Sequence, residues 1–436
     1  MTPDPPASTG LLRVVSRWQI VALAVNGVIG SGIYLLPAST AALLGPASVA
    51  AVLLAGLTVG LLVLCFAQAA SYFDRAGGAY LYTREAFGDF VGFQVGWMTW
   101  LSRVVSVAAL AAGLAQALAQ LSPALAGTVP AAVIALFGIG LVTAVNWIGV
   151  QSGARFAAAL VVVKLLPLAL LVGLGVFHLD PAALRIEQWP PPSSFAAAAL
   201  LLLFAYGGFE NAPAAAAEYR QPQRDLPFAL IATIAIVTTV YVAIQAVAIG
   251  LLPELAQSTA PLAEAAERLG GAPAVWLLTL GAAVSILGTM GSSTLFGPRY
   301  LYALAEDGYG PRGLAAVHPR WRTPHVALAV QGGLALLLAL TGSFVELALL
   351  SVIARLATYI GTSAALLVLI PRYRHRPEAL QLPGDRLIPV LALLISLGLL
   401  ASASAKHLAA GAIAVLIGSL IWWARRRHSS TGSPQV

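Results

Sequence analysis

Charge is scarce in this chain of 436 residues: Asp, Glu, Lys and Arg together make up 9% of it, where a soluble domain carries about a quarter. Hydrophobic residues reach 59% and the mean hydropathy is +0.87. Such a chain cannot cover its own surface in water, which excludes a soluble globular protein and leaves a polytopic membrane protein. Cysteine is nearly absent. The single Cys65 rules out an intramolecular disulfide and reads as a small packed side chain. Lysine is almost as rare: Lys164 and Lys406 follow Val163 and Ala405, so no G-K-[ST] nucleotide loop exists and an ATP-driven pump of that type is excluded. The six histidines are scattered, with no H-E-x-x-H and no cysteine pair beside them, which argues against a membrane metalloenzyme. Neither a metal nor a cofactor is implied.

Apolar runs, by contrast, are abundant. Crossing a hydrocarbon core of about 30 Å takes roughly 20 helical residues. About twelve stretches qualify: 18–42, 46–72, 88–120, 128–147, 153–176, 194–217, 226–252, 272–304, 324–341, 344–370, 386–404 and 407–424. The first follows Arg13 and Arg17 like a secretory leader, but it is too long and lacks a clear cleavage site, so it is read as a helix. The formal net charge of +7 is distributed for a bilayer rather than for nucleic acid. With the N-terminus inside, 18 of the 24 basic residues fall on the cytoplasmic side. Three (Arg185, Arg268, Lys406) lie outside, and three (Arg103, Lys164, Arg355) lie within helices. The tail "IWWARRRH" places Trp422 and Trp423 at an interface and three arginines beyond it. The expectation is a multi-pass protein of the cell membrane with both termini cytoplasmic.

Two stretches are interrupted. The first contains "NGVIGSGIYLLPA" (26–38), with Gly30, Ser31 and Gly32 near its middle. The sixth contains "FAYGGFENAP" (204–213), with Gly207 and Gly208 followed by Glu210, Asn211 and Pro213. Paired glycines also serve close helix packing, as Gly56 and Gly60 would in the second stretch. Helix one starts inside and helix six, after five crossings, starts outside. Breaks at matching places in two oppositely oriented halves point to an inverted-repeat secondary transporter. The breaks free backbone donors and acceptors at the bilayer midplane. Half-helix N-termini favour a carboxylate and freed carbonyls favour an ammonium, a combination suited to the main-chain part of an amino acid.

Four segments carry a family resemblance: "GVIGSGIYLLPA", "AGGAYLYTREAFGDFVGFQVGW", "FAYGGFENAPAAAAEYRQPQRDLPFAL" and "YALAEDGYGPRGLAAVHPRWRTPHVAL". In this order they resemble the amino acid–polyamine–organocation (APC) superfamily of permeases, over nearly the whole chain. "AEYR" departs from the two acids that many relatives carry before the basic residue. The resemblance implies an all-α membrane fold of the LeuT-like five-plus-five kind, with helices 1 and 6 discontinuous. It implies a cytoplasmic tail at 1–17, repeats at 18–176 and 194–370, two further helices at 386–424 and a cytoplasmic tail at 425–436. It implies a secondary transporter and not an enzyme, working by alternating access through proton coupling or exchange. A cationic amino acid/polyamine antiporter and a non-transporting amino-acid sensor of the same fold are the alternatives.

The same resemblance places substrate binding at Val28, Ile29, Gly30, Ser31 and Gly32 in helix one, and at Phe204, Ala205, Tyr206, Gly207 and Gly208 in helix six. Phe204 is either an aromatic gate or a packing residue. Helix three, with Ser102 and Arg103, and helix eight, with Ser293, contribute to the side-chain subsite. A fixed guanidinium at Arg103, and the lack of a tryptophan in "GTMGSSTLFG", point away from cationic substrates, towards neutral or acidic ones. Arg103 and Arg355 alternatively pair with carbonyls or an acid. Glu210, an acid at membrane depth, is either functional or a cap on the second half-helix. Lys164 in "ALVVVKLLPLALL" matches a helix-five lysine that, in sodium-independent relatives, puts its ammonium where sodium sits in coupled ones. Desolvation disfavours its charged form, so a proton-coupling role is expected for Lys164 and Glu210. Thr289, Ser292 and Ser293 are candidate oxygen partners for the ammonium. The expected partners of the protein are an amino-acid substrate, the lipid bilayer and protons.

Overall fold

A computed structural model describes residues 15–73, 77–148, 153–376, 379–384 and 386–430. The first fourteen residues and the last six, parts of the two tails, lie outside it. Among the described residues every regular element is a helix, and the only extended pairing is an isolated parallel bridge between Val15 and Tyr219. Fourteen α-helices follow in order: α1 Arg17–Val28, α2 Ser31–Leu44, α3 Ser48–Ser71, α4 Gly78–Phe87, α5 Asp89–Leu118, α6 Thr128–Ile148 and α7 Gly153–Gly175. The second part contains α8 Pro192–Tyr206, α9 Pro222–Leu251, α10 Pro261–Glu306, α11 His325–Ala339, α12 Phe344–Tyr373, α13 Leu387–Ala401 and α14 Ala405–Ser430. Among the described residues, seven helical stretches are long and apolar enough to cross a membrane, and four shorter apolar helices accompany them.

Local chemistry sets the ends of these helices. Proline occupies the first turn of α8, α9 and α10, where its missing N–H costs nothing. Ser16 opens α1 with a capping box, its backbone N–H donating to Gln19 Oε1 at 2.9 Å. Ser343 caps α12 by accepting from the Glu346 N–H. The long apolar stretch around 272–304 is the later part of α10, which bends at Gly271 (φ 64°, ψ −155°) after a first amphipathic segment.

Helix α5 is the axis of the bundle: 78% of its most apolar window is buried, against 6% for α14 on the periphery. It packs against α10 and α12, while α3 packs along α9. Gly56 makes the latter approach possible, since a Cβ there would lie 2.5 Å from Thr238. The outward faces of α6 and α14 are leucine, valine and phenylalanine, as at Val133, Phe137, Leu416 and Leu420. Polar residues collect instead in the middle of the bundle. This distribution, apolar outside and polar within, is that of a chain solvated by lipid.

Candidate functional site: two broken helices around a buried cavity

The first break separates α1 from α2 at Ile29 and Gly30. Ile29 leaves helical geometry (φ −74°, ψ 100°), and Gly30 adopts φ −132°, ψ −139°. No intrahelical N–H then reaches the carbonyls of Asn26 and Ile29, and side chains take over. Lys164 of α7 donates to Asn26 O at 3.0 Å and Ile29 O at 2.8 Å, with Ser285 O of α10 at 3.4 Å. Thr289 Oγ1 donates to the same two carbonyls at 2.9 and 2.8 Å, and Ser285 Oγ donates to Ile29 O at 2.9 Å. The ammonium is fully buried. Its direct partners are therefore three carbonyls rather than the hydroxyls expected from the sequence. Thr289 shares the carbonyls with the ammonium, Ser292 accepts from Asn26 Nδ2 at 3.2 Å, and the Ser293 carbonyl accepts from Gln331.

The second break ends α8 at Tyr206. Gly207 is extended (φ −75°, ψ 148°), Gly208 takes φ 129°, and the chain continues as a 3₁₀ helix, Phe209–Glu218. Gly208 is demanded twice over, by its positive φ and by contact with the first break, where a Cβ would stand 2.3 Å from Gly27 O. The two interruptions thus touch. Gly207 is demanded by Arg355 of α12, whose Nη1 lies 1.6 Å from where a Cβ would be. Gly32 accommodates α8: a Cβ there would meet Ala205 at 2.7 Å.

Glu210 is the centre of a three-residue charge cluster. Its Oε1 pairs with Arg103 Nη2 of α5 at 2.5 Å and with Arg355 Nε at 2.9 Å, and its Oε2 accepts from the Gly208 N–H at 2.8 Å. The same carboxylate thus pairs with both arginines and accepts the N–H at the entry to the second half-helix. Arg355 is fixed further by Nη2 donating to Ser106 Oγ at 3.0 Å and Nη1 to Leu203 O at 3.4 Å. Ser106 in turn bonds Ser351 at 2.6 Å. All three charged side chains are at most 3% exposed.

A small cavity of about 20 Å³, room for little more than one water molecule, lies where these parts meet. It is lined by Val28, Gly30, Ser31 and Gly32 from the first break, and by Phe204, Gly207 and Gly208 from the second. Arg103, Ser106, Thr289, Ser293 and Arg355 complete its polar wall. Of the residues expected from the sequence, four turn elsewhere. Ile29 contributes its carbonyl to Lys164. The Ala205 carbonyl accepts from Tyr241. Tyr206 donates to Val52 O of α3 at 3.0 Å, and Ser102 bonds back to Thr99 O within its own helix. Ser106, Arg355 and Ser285 belong to the site and were not among the expected binding residues. Ser106 was reachable from the sequence, being near one helical turn beyond Arg103 on the same face. Ser285 was not, because its role depends on where α10 passes α1.

Away from the cavity, α4 is tied to the end of α10. Arg84 bridges Asp89 at 2.7 Å and Asp307 at 3.1 Å, and the Tyr80 hydroxyl donates to Asp307. Burial and the adjacent Asp307 carboxylate push the Tyr80 phenol well above its ordinary value, so it remains a donor. Near the start of the described chain, Arg220 N donates to Val15 O at 3.1 Å, joining the entry to α1 to the exit of the 3₁₀ segment.

Two broken helices touching at mid-bundle beside a buried polar cavity are features of membrane transporters. The sequence profile of one family in that class, described as amino acid permease, matches residues 15–427, and the chain belongs to this family, within the APC superfamily. Three proteins of Bacillus subtilis (strain 168) are similar over nearly the full length of both chains. The methylthioribose transporter is 27% identical, covering 97% of this chain and 95% of its own. The branched-chain amino acid permease BcaP is 27% identical, covering 96% and 94%. The serine/threonine exchanger SteT is 28% identical, covering 94% and 95%.

Proposed function

We propose that this permease is a secondary active transporter that moves an amino acid across the cell membrane by alternating access, with both termini cytoplasmic. Its repeats are 18–176 and 194–370, each holding one broken helix, followed by two helices at 386–424. The substrate carboxylate meets the N-terminus of α2 at Gly30, Ser31 and Gly32, where backbone N–H groups have no intrahelical partner. The ammonium meets the carbonyl end of α8 at Phe204 to Gly208, with Phe204 against its side. Neutral or acidic amino acids are favoured over cationic ones, because Arg103 and Arg355 line the same cavity and repel a third cation.

The observation that carries the reading is the Lys164 ammonium on the carbonyls of Asn26 and Ile29. A single positive charge holds the broken end of α1 against α7 and α10. Charged, it stabilises that contact; neutral, it releases α1, and the proton lost or gained couples the movement to a pH gradient. Glu210 serves the cycle as the fixed counter-charge of the two arginines. The relatives named for amino acids, BcaP and SteT, support the substrate class.

Uptake of labelled amino acids into proteoliposomes, with and without an inward proton gradient, tests this. Wild type should accumulate at least one amino acid, and Lys164→Ala should lose most gradient-driven uptake while still binding substrate. A Lys164→Ala protein with unchanged rate and pH dependence would remove Lys164 from the coupling. Exchange in the absence of a gradient, measured with preloaded vesicles, separates antiport from proton symport.

A further inference from the structure

The core of the bundle carries more positive charge than it balances. Among the described residues, the buried ionisable side chains of opposite sign are Arg103, Lys164 and Arg355 on one hand and Glu210 and Asp225 on the other. Asp225 is not part of the core: it stands in the first turn of α9, with Arg17 at 4.0 Å. Glu210 alone therefore faces two guanidiniums, and one of its two oxygens takes both of them. The Lys164 ammonium, on the other side of the first break, has carbonyl and no carboxylate partners. A zwitterionic amino acid adds no net charge to this arrangement.

The unbalanced charge is directed at the cavity. Arg103 and Arg355 are the charged residues of its lining, and the Nε atom of Arg103 is buried without a hydrogen-bond partner. Ser31 Oγ, at the N-terminus of α2, is buried and equally unpartnered. Ser106 Oγ, held by Arg355 and Ser351, is a fourth polar group on the same wall. Leu110 and Phe204 supply apolar surface beside it. An isolated excess charge in a low-dielectric interior is costly, and an anionic ligand removes that cost on binding.

Resting on the transporter reading above, we propose that the substrate is a dicarboxylic amino acid, whose side-chain carboxylate is received by the Arg103–Glu210–Arg355 cluster. Its α-carboxylate lies at the N-terminus of α2 and its methylene segment against Leu110 and Phe204. The bound charge of −1 neutralises the cluster. A neutral isostere fills the same space and leaves the excess in place. The named cargoes of the similar transporters are branched-chain amino acids, serine and threonine, and methylthioribose, so the assignment separates this chain from them.

The test compares isosteric pairs on the purified full-length protein: L-glutamate against L-glutamine, and L-aspartate against L-asparagine, by direct binding in detergent and by uptake into proteoliposomes. Each measurement is made in chloride and in gluconate buffer. One acid is expected to bind at least tenfold tighter than its amide, in either buffer. Arg103→Met, which leaves Glu210 and Arg355 as a neutral pair, should shrink that ratio to within about threefold by weakening the acid rather than the amide. The wild-type comparison stands alone should the variant not fold. Amides or other neutral amino acids binding as well as the acids would overturn the proposal and leave the transporter reading intact. Neutral substrates that bind only in chloride would overturn it too, because a halide would then supply the missing charge. Absence of binding by every amino acid tried would overturn both.

Discussion

Replacing Glu210 by Gln removes one negative charge and keeps the side chain's shape. Arg103 at 2.5 Å and Arg355 at 2.9 Å then face each other with no anion between them. At an effective dielectric of about 20, each lost pair is worth roughly 6 kcal/mol of Coulomb attraction before solvation is counted. Breaking a buried pair by deleting one partner costs about 3–5 kcal/mol in practice, since the remaining charge stays desolvated. Here two charges remain, so the upper part of that range applies, equivalent to about a thousandfold or more in the folded-to-unfolded ratio. Arg103→Met is the control of opposite logic. It leaves a matched Glu210–Arg355 pair, and its expected cost is about 1–2 kcal/mol, from lost packing. Reversible unfolding in mixed detergent–SDS micelles, followed by tryptophan fluorescence, gives both numbers. Glu210→Gln should be at least about 2 kcal/mol less stable than Arg103→Met. Equal stability, or a Glu210→Gln protein as stable as wild type, would refute the charge reasoning.

Gly207→Ala puts a methyl group where the Arg355 guanidinium lies, 1.6 Å from Nη1, so substrate affinity should fall at least tenfold in a binding assay although the protein still inserts. Gly32→Leu should abolish binding for a related reason, since its Cβ position is 2.7 Å from Ala205; wild-type affinity in both glycine variants would remove these segments from the site. Thr289→Val takes one of two side-chain donors from Asn26 O and one of three from Ile29 O and should cost about 1 kcal/mol per lost hydrogen bond, seen as a lower unfolding midpoint and slower uptake. Tyr80→Phe removes the hydroxyl that donates to Asp307, which should loosen α4 from α10 and raise protease cleavage between them; an unchanged digestion pattern would count against that contact as a tether.

The class of the protein was legible from composition, because a chain with 9% charge and 59% hydrophobic residues has no soluble solution. Both helix breaks were legible as well. Glycine pairs beside polar residues, recurring in two apolar stretches, are more than close packing requires, and the structure interrupts the helices at Ile29–Gly30 and Gly207–Gly208. The shorter α4 and the 3₁₀ form of the second half of helix six were not foreseen. Hydropathy reads span length, and neither feature has a period or length of its own that a window of about 19 residues would register.

Sequence by itself determined which residues had to be special: an acid, a lysine and two arginines placed at membrane depth must find partners, since lipid offers none. It did not determine who partners whom. Arg103, Glu210 and Arg355 are separated by more than a hundred residues in each case, and the pairing arises only because α5, the segment after α8, and α12 converge on one point. Lys164 reaches the carbonyls of Asn26 and Ile29 because α7 runs beside the break in α1. Gly207 gained a second reason in three dimensions, since Arg355 fills the space where its Cβ would be. Local preference chooses helix, break and burial residue by residue. Contacts between distant segments depend on how whole helices cross, and that is settled by the sum of packing over the bundle.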